Sequence, residues 1–463
     1  MRRKTTGFRW SLVVFLLAAA AGVVPAYVCA EIHTVANLTP EAVWDAIDAA
    51  KDGDVVQLPE GTAVWTKGWN TGHGVRMKAI IIEGAGMDKT VIRDGRLARD
   101  GGKVPFELQG VEGKPFRVTG ITFDGTGNDN AGLWGGFMSI SGTCRNIRID
   151  HCKFKNASTM MTINGDIYGL IDHCVFDDKE FTVRSPAQPI WYAGPGASNF
   201  RKPLSLGTGR ALYLEDNEVY LGPVAARGGD CPWIAPNNGA RVVIRHNNIV
   251  NSQIEIYGIG VQKGYYGCQQ AEVYDNQFSA VGLSQGEPQI SVCINGGVGI
   301  VFNNTVTGTT YNTSIIPIEY ARAFTDRGGF GICDGKNPVD GNQIQAGQVG
   351  AGYPGMDQPG RATDAIGDGV FEPSPCYGWN NKMNGRPLLM ALRPWSPKEM
   401  ALDAGLVKEG RDFFNKKPKL EYYRSYVYPH PLQKEEAWEL LMKSAAVRSA
   451  GSGSSTTSPA SKP

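Results

Sequence analysis

The fold predicted by this sequence is all-β: a parallel β-helix, a solenoid of short strands wound into stacked coils. Three observations predict it. The first is a recurring phrase anchored on one polar residue: Cys152 in "IRIDHCKF", Cys174 in "GLIDHCVF", Asn217 in "LYLEDNEV", Asn247 in "VVIRHNNI", Asn276 in "AEVYDNQF" and Asn304 in "GIVFNNTV". The anchors lie 22, 43, 30, 29 and 28 residues apart, so a unit of about 22 to 30 residues repeats and one interval carries an insertion. Second, apolar and polar residues alternate on both sides of each anchor, as in Ile149, Cys152 and Phe154, which is the period of a strand broken by a bend. Third, 59 of 463 residues are glycine and only 20% are charged, a composition suited to many strands and tight turns. A unit of two or three short strands cannot bury its apolar side alone, whereas stacked copies share one continuous core. Equivalent corner asparagines then lie about 4.8 Å apart and bond along the stack, with the small thiols of Cys152 and Cys174 as substitutes.

The elements follow in chain order. Arg2, Arg3, Lys4 and Arg9 precede an apolar run from Trp10 to Val28, and "VCA" ends in a small residue at Ala30. Residues 1–30 therefore read as a signal peptide, and the protein as secreted or periplasmic. In "TPEAVWDAIDAA", Thr39 caps and Pro40 opens a short amphipathic helix that covers the open end of the first coil. Residues 31–432 form a single β-helix domain. An earlier phrase, "VTGITF" at 118–123, fits the repeat loosely, and from about Tyr311 the repeat fades into a glycine- and proline-rich stretch and then a wrapping segment with "YVYPHPL". Residues 433–463 hold a helix, "KEEAWELLMKSAAV", and a low-complexity tail expected to be disordered. Eight cysteines remain after cleavage, with Cys333 and Cys376 the first candidates for a disulfide and Cys152 and Cys174 read as buried thiols. A net charge of +1 provides no basic excess for nucleic acid, and no membrane contact is expected after cleavage.

Several stretches resemble a known family: "DGDVVQLPEGTAVW", "IIIEGAGMDKTVI", "RHNNI", "FNNTVTG", "GYPGMDQPGR", "GWNN", "RDFFNKKP" and "YVYPHPL". Together they are similar to the secreted bacterial right-handed parallel β-helix proteins of the pectate-lyase-like superfamily. The resemblance implies a right-handed coil and a carbohydrate-active protein. The superfamily holds lyases of acidic polysaccharides, hydrolases of polygalacturonan type and members without demonstrated activity.

Two rows of side chains are candidates for chemistry. Alternation points Asp150, Asp172, Glu215, Arg245 and Tyr274 outward in one file. The three carboxylates suit Ca²⁺, and Arg245 suits charge neutralisation or, as the resemblance implies, proton abstraction; a solvated strand face is the plainer reading of the same pattern. The second row holds Asn164, Asn237, Glu255, Tyr257 and Asn295, with Asp230, Arg241 and Lys263 near in sequence. Here Tyr257 is a candidate proton donor or base assisted by Lys263 or Arg241, the asparagines grip a substrate carboxylate, and a structural tyrosine packed on the stack is the alternative. Relatives often carry His at the position of Tyr257 and Arg at that of Asn295. Trp191, Tyr192, Trp233, Tyr265 and Tyr266 fall in insertions and are candidates to stack on sugars. Loops at 178–202, 221–240 and 258–270 would set the substrate. His151, His173 and His246 sit at the bend and read as structural. The expected function is cleavage of an acidic, uronate-containing polysaccharide by β-elimination. A glycan-binding or surface β-helix and a glycoside hydrolase with paired carboxylates are the alternatives.

Overall fold

The computed structural model describes residues 30–452, apart from 69–74, 77, 97–103, 127–135, 158, 179–187, 223–231, 259–263, 282–290, 309–313, 324–325, 327–328, 335, 337–339, 341–354, 357, 364–370 and 394–405. The expected signal peptide up to residue 29 and the low-complexity tail from residue 453 lie outside the described residues.

Each coil has three faces. In one coil, residues 161–164 form the first face and 169–172 the second, within the strand Met161–Asp172; Val175–Asp177 forms the third, and the chain returns to the first face at Ile190–Ala193. Parallel pairing repeats this from coil to coil. Ile149, Ile171, Leu214, Ile244, Val273 and Val301 form one inward file on the second face. First and second faces merge into a 20-stranded sheet, and the third face forms an 11-stranded one. The core lies between them, threaded by aromatic rings in stacked and edge-on contact from Trp65 through Phe106, Phe123, Phe154 and Phe176 to Trp233.

The corner between second and third faces is the element most directly written in the sequence. His151, His173, Asp216, His246, Asp275, Asn303 and Asn380 all take left-handed backbone, with φ between 49° and 57°. Such residues are among the few that tolerate it without glycine. The next residue of each corner turns inward. Asn217, Asn247, Asn276 and Asn304 each donate their Nδ2 to the next Oδ1, ending at Asn381, at 2.9 to 3.0 Å. Each of these Oδ1 atoms also accepts the preceding coil's backbone N–H, at 2.9 to 3.1 Å. The thiols of Cys174 and Cys152 donate instead to the Ile149 and Val118 carbonyls.

Asn381 corrects one expectation. The solenoid does not fade at Tyr311: Ile315–Ile318, Cys376–Trp379, Lys382–Met383 and Leu389–Leu392 continue the stack. A gap of 77 residues between Asn304 and Asn381 hides the period. The expected disulfide is corrected as well. Cys333 and Cys376 are separate buried thiols, because Cys376 points into the core from a second-face strand, where its Sγ accepts the Gly299 N–H at 3.3 Å.

The helix Pro40–Ala49 closes the first coil. Thr39 caps it by accepting the Ala42 N–H, and Val43, Trp44 and Ile47 turn inward, with Trp44 set edge-on against Trp65. At the other end of the chain, residues 419–434 and the helix Glu435–Ser452 lie over the outside of the second face. Tyr423, Leu432, Trp438, Met442 and Ala445 pack there on Leu170, Tyr213, Val243, Tyr274, Ile300 and Phe302, which makes a second core outside the solenoid.

Candidate functional site

Both candidate rows exist as files, and they stand on different faces. Asp150, Asp172, Glu215, Arg245 and Tyr274 are in direct register on the second face, followed by Phe302 and Trp379. The C-terminal segment covers this face, and all four charged members are fully buried. Buried carboxylates require partners, and guanidinium groups supply them. Arg117 grips Asp150 with Nε and Nη2, both at 2.7 Å, and Arg148 grips Asp172 at 3.0 and 2.9 Å. His151 and His173 each set Nδ1 on the same carboxylates at 2.8 and 2.9 Å. Glu215 binds Arg245 through one oxygen and the His430 N–H and Gln433 amide through the other.

The expectation of Ca²⁺ at Asp150, Asp172 and Glu215 is therefore corrected. The oxygens such an ion needs are already bonded to guanidinium groups, imidazoles and N–H donors, and the ion would face guanidinium groups at close range, so the residues do not fit it. Burial by itself would raise the Asp150 carboxyl, but Arg117 and His151 outweigh it and hold the group down at about 2. Arg245 is corrected in its proposed role of base. Burial pulls its guanidinium down, but the Tyr274 hydroxyl and the Glu215 carboxylate push it up beyond that, and it also donates to the Tyr426 and Val427 carbonyls at 2.9 and 2.8 Å. A cation so enclosed releases no proton and meets no polymer. Arg241 is likewise withdrawn from catalysis: it is buried on the second face, where it donates to Gln269, Ser205 and the Pro203 carbonyl.

The first face is different. Register runs from Asn164 to Ala193 to Asn237. Backbone bonds from Tyr257 to Pro236, Asn295 to Ile256, Glu319 to Ile294 and Arg393 to Ile318 carry the file onward through Tyr257, Asn295, Glu319 and Arg393. The neighbouring outward file holds Trp191, Ala235, Glu255 and Cys293. Here Asn164, Trp191, Glu255, Tyr257, Asn295 and Arg393 are half-buried instead of sealed.

Contacts within the group are close. Asn295 donates Nδ2 to Glu255 Oε1 at 2.7 Å and accepts the Cys293 thiol at 2.9 Å. Gln188 donates Nε2 to the Tyr257 hydroxyl at 2.6 Å, and Arg393 faces Glu319 at 3.5 Å. Two side-chain oxygens of this region, Oδ1 of the fully buried Asn237 and Oε1 of Gln188, are buried and accept no hydrogen bond among the described residues. One belongs to the amide that bonds the Tyr257 hydroxyl, and the other to the residue one coil before Tyr257 in the same file.

Of the other expected substrate contacts, Trp233 is corrected: it lies in the core, edge-on to Phe176, because the strand Pro232–Asn237 makes an irregular step between Pro232 and Ile234. Tyr192 is in the core as well. Asp230 and Lys263 lie outside the described residues. Gln188, Glu319 and Arg393 escape the sequence reading. Glu319 carried a usable signal, since "IIPIE" ends a strand at the same step as "SVCIN".

The fold and this face define a class: an all-β solenoid of parallel strands with a polar, partly open first face. No protein-family model matches the chain, and no curated protein matches it. Among solved structures it is similar to an alginate lyase from Paenibacillus sp. str. FPU-7. That match has 10% identity and a TM-score of 0.43, and it covers 78% of this chain and 97% of that one.

Proposed function

We propose that the protein is an exported polysaccharide lyase that cleaves an acidic, uronate-containing polymer by β-elimination on the first face. The observation that carries this reading is the half-buried Tyr257 on the polar first face, whose hydroxyl accepts the Gln188 amide at 2.6 Å in a file with Asn164, Asn237, Asn295 and Arg393. A phenol held by one amide on a partly open polar face suits proton transfer to and from a sugar ring. Export rests on the N-terminal charge and apolar pattern.

In this reading the Arg393 charge and the Asn295 amide lower the cost of negative charge growing on the substrate carboxyl as the neighbouring C–H ionises. Tyr257, as phenolate, takes that proton; the C–O bond to the leaving sugar breaks as the C=C bond forms, and the phenol returns its proton to the departing oxygen. Lys263, six residues further on and outside the described residues, is proposed from the sequence to favour the phenolate. Asn164 and Trp191 extend the face towards the N-terminal coils, where Trp191 offers a ring for a sugar to stack on.

The test is ultraviolet absorbance of unsaturated uronate products, with pectate, alginate and glycosaminoglycans as substrates, each with and without Ca²⁺. Product from any of them supports the lyase. Retained glycan binding without product on every polymer overturns it in favour of a non-catalytic binder, and reducing ends without the chromophore point to a hydrolase.

A further inference from the structure

The start of the solenoid carries a second group of chemically capable side chains, remote from the first face. Glu31, His33 and Asp54 place their ligand atoms within 4.8 Å of one another. His33 Nε2 lies 2.9 Å from one Asp54 oxygen, and the backbone nitrogen of Glu31 lies 2.9 Å from the other. Asp54 is buried and held in place by the Lys51 N–H at 2.7 Å, whereas Glu31 is exposed and His33 partly so. An imidazole is therefore fixed against an ordered carboxylate at the edge of the first strand, Ile32–Thr34, with solvent access on one side.

The export reading proposed above, on which this step rests, implies signal cleavage after Ala30, which adds one more donor. It converts the Glu31 nitrogen, already beside Asp54, from an amide into a primary amine. We propose that the mature protein binds one borderline divalent cation, of the zinc or copper(II) kind, through the Glu31 α-amine, His33 Nε2 and the Asp54 carboxylate, with the Glu31 carboxylate completing the set. Nitrogen donors beside carboxylates favour such ions over calcium, which takes six to eight oxygens. Zinc holds nitrogen and oxygen ligands at about 2.0 to 2.2 Å, which places tetrahedral ligand atoms roughly 3.3 to 3.5 Å apart. The 2.9 Å His33–Asp54 contact and the 4.8 Å limit on the other ligand-atom separations bracket that range. The inference is independent of the lyase reading, since none of these residues touches the first face.

Isothermal titration of the metal-free mature protein with zinc chloride tests it, alongside the intact mass that defines the N-terminus. One site per chain is expected, unaffected by excess calcium, with the affinity falling at least about tenfold in His33→Ala and in Asp54→Asn. His33→Ala leaves the Asp54 backbone contacts in place, so its melting temperature without metal reports whether the fold persists. A chain extended by Gly-Ser before Glu31 keeps the three side chains and loses the amine, and it too is expected to bind at least about tenfold more weakly. No zinc binding, or equal affinity in His33→Ala, overturns the site. Equal affinity in the extended chain, or a mature N-terminus elsewhere, overturns the part assigned to the amine.

Discussion

Asp150 and Glu272 stand on the same buried face, and their carboxyls titrate in opposite directions. Arg117 and His151 hold Asp150 at about 2, so its contribution to stability is present above the usual carboxylate pKa and is lost as pH falls through 2. Glu272 is fully buried without a paired cation; burial lifts it to about 7 against the opposing pull of the Gly207 N–H and the Tyr423 hydroxyl. Its protonated form is the one the fold prefers. Its stabilising effect is therefore complete below pH 4.5 and fades as pH rises through 7, by about 3 kcal/mol in full. Glu272→Gln removes that dependence, so thermal melts are expected to show the variant gaining on the parent between pH 5 and pH 8, with the two nearly equal at pH 4. A gain that does not grow with pH means the carboxyl is ionised in the fold. Tyr257→Phe tests the first face. It keeps the ring and removes the only atom assigned to proton transfer, so kcat is expected to fall about 10² to 10⁴-fold while KM changes little. Unchanged turnover removes Tyr257 from the reaction.

At the scale of the element, the corner ladder and the C-terminal segment do different work. Asn247 accepts from the Asn217 backbone and amide and donates to Asn276, Leu214 and Arg245. Asn247→Ala leaves a buried N–H and an amide without an acceptor, and the expected loss is about 3 kcal/mol in denaturant titration. A loss under about 1 kcal/mol means water replaces the amide. The C-terminal helix is held by Trp438, which is fully buried and donates Nε1 to the Leu432 carbonyl at 2.7 Å. Trp438→Ala is expected to cost about 3 to 5 kcal/mol. It should also raise the binding of a hydrophobic dye, because Tyr213, Val243 and Ile300 lose part of their cover. Retained stability and no dye binding would show the outer core to be dispensable.

For the whole molecule, the sequence is legible wherever one physical constraint recurs in every coil. Each corner needs a residue that tolerates left-handed backbone followed by a small side chain that bonds along the axis, so His-Cys, Asp-Asn and His-Asn pairs mark the turns. The corner at Asn381 meets the same constraint, and only the long insertion before it masks the repeat. Both outward rows were legible as files because alternation and register together fix which side chains point out. Alternation cannot say what lies above a strand. Asp150, Asp172, Glu215 and Arg245 read as an exposed site, yet Tyr426 to Glu435, some 200 residues further along the chain, closes over them. Trp233 shows the same limit within one strand, where an irregular step turns a ring inward that its neighbours suggest is outward.

The sequence by itself determined the coil, its corners and the order of residues along each face, because those depend on backbone preferences and contacts one coil apart. Tertiary structure alone decided which face is sealed, which arginine answers which carboxylate and which amide bonds the Tyr257 hydroxyl. Those outcomes turn on burial and on partners distant in the chain, and desolvation of a charge has no local signature.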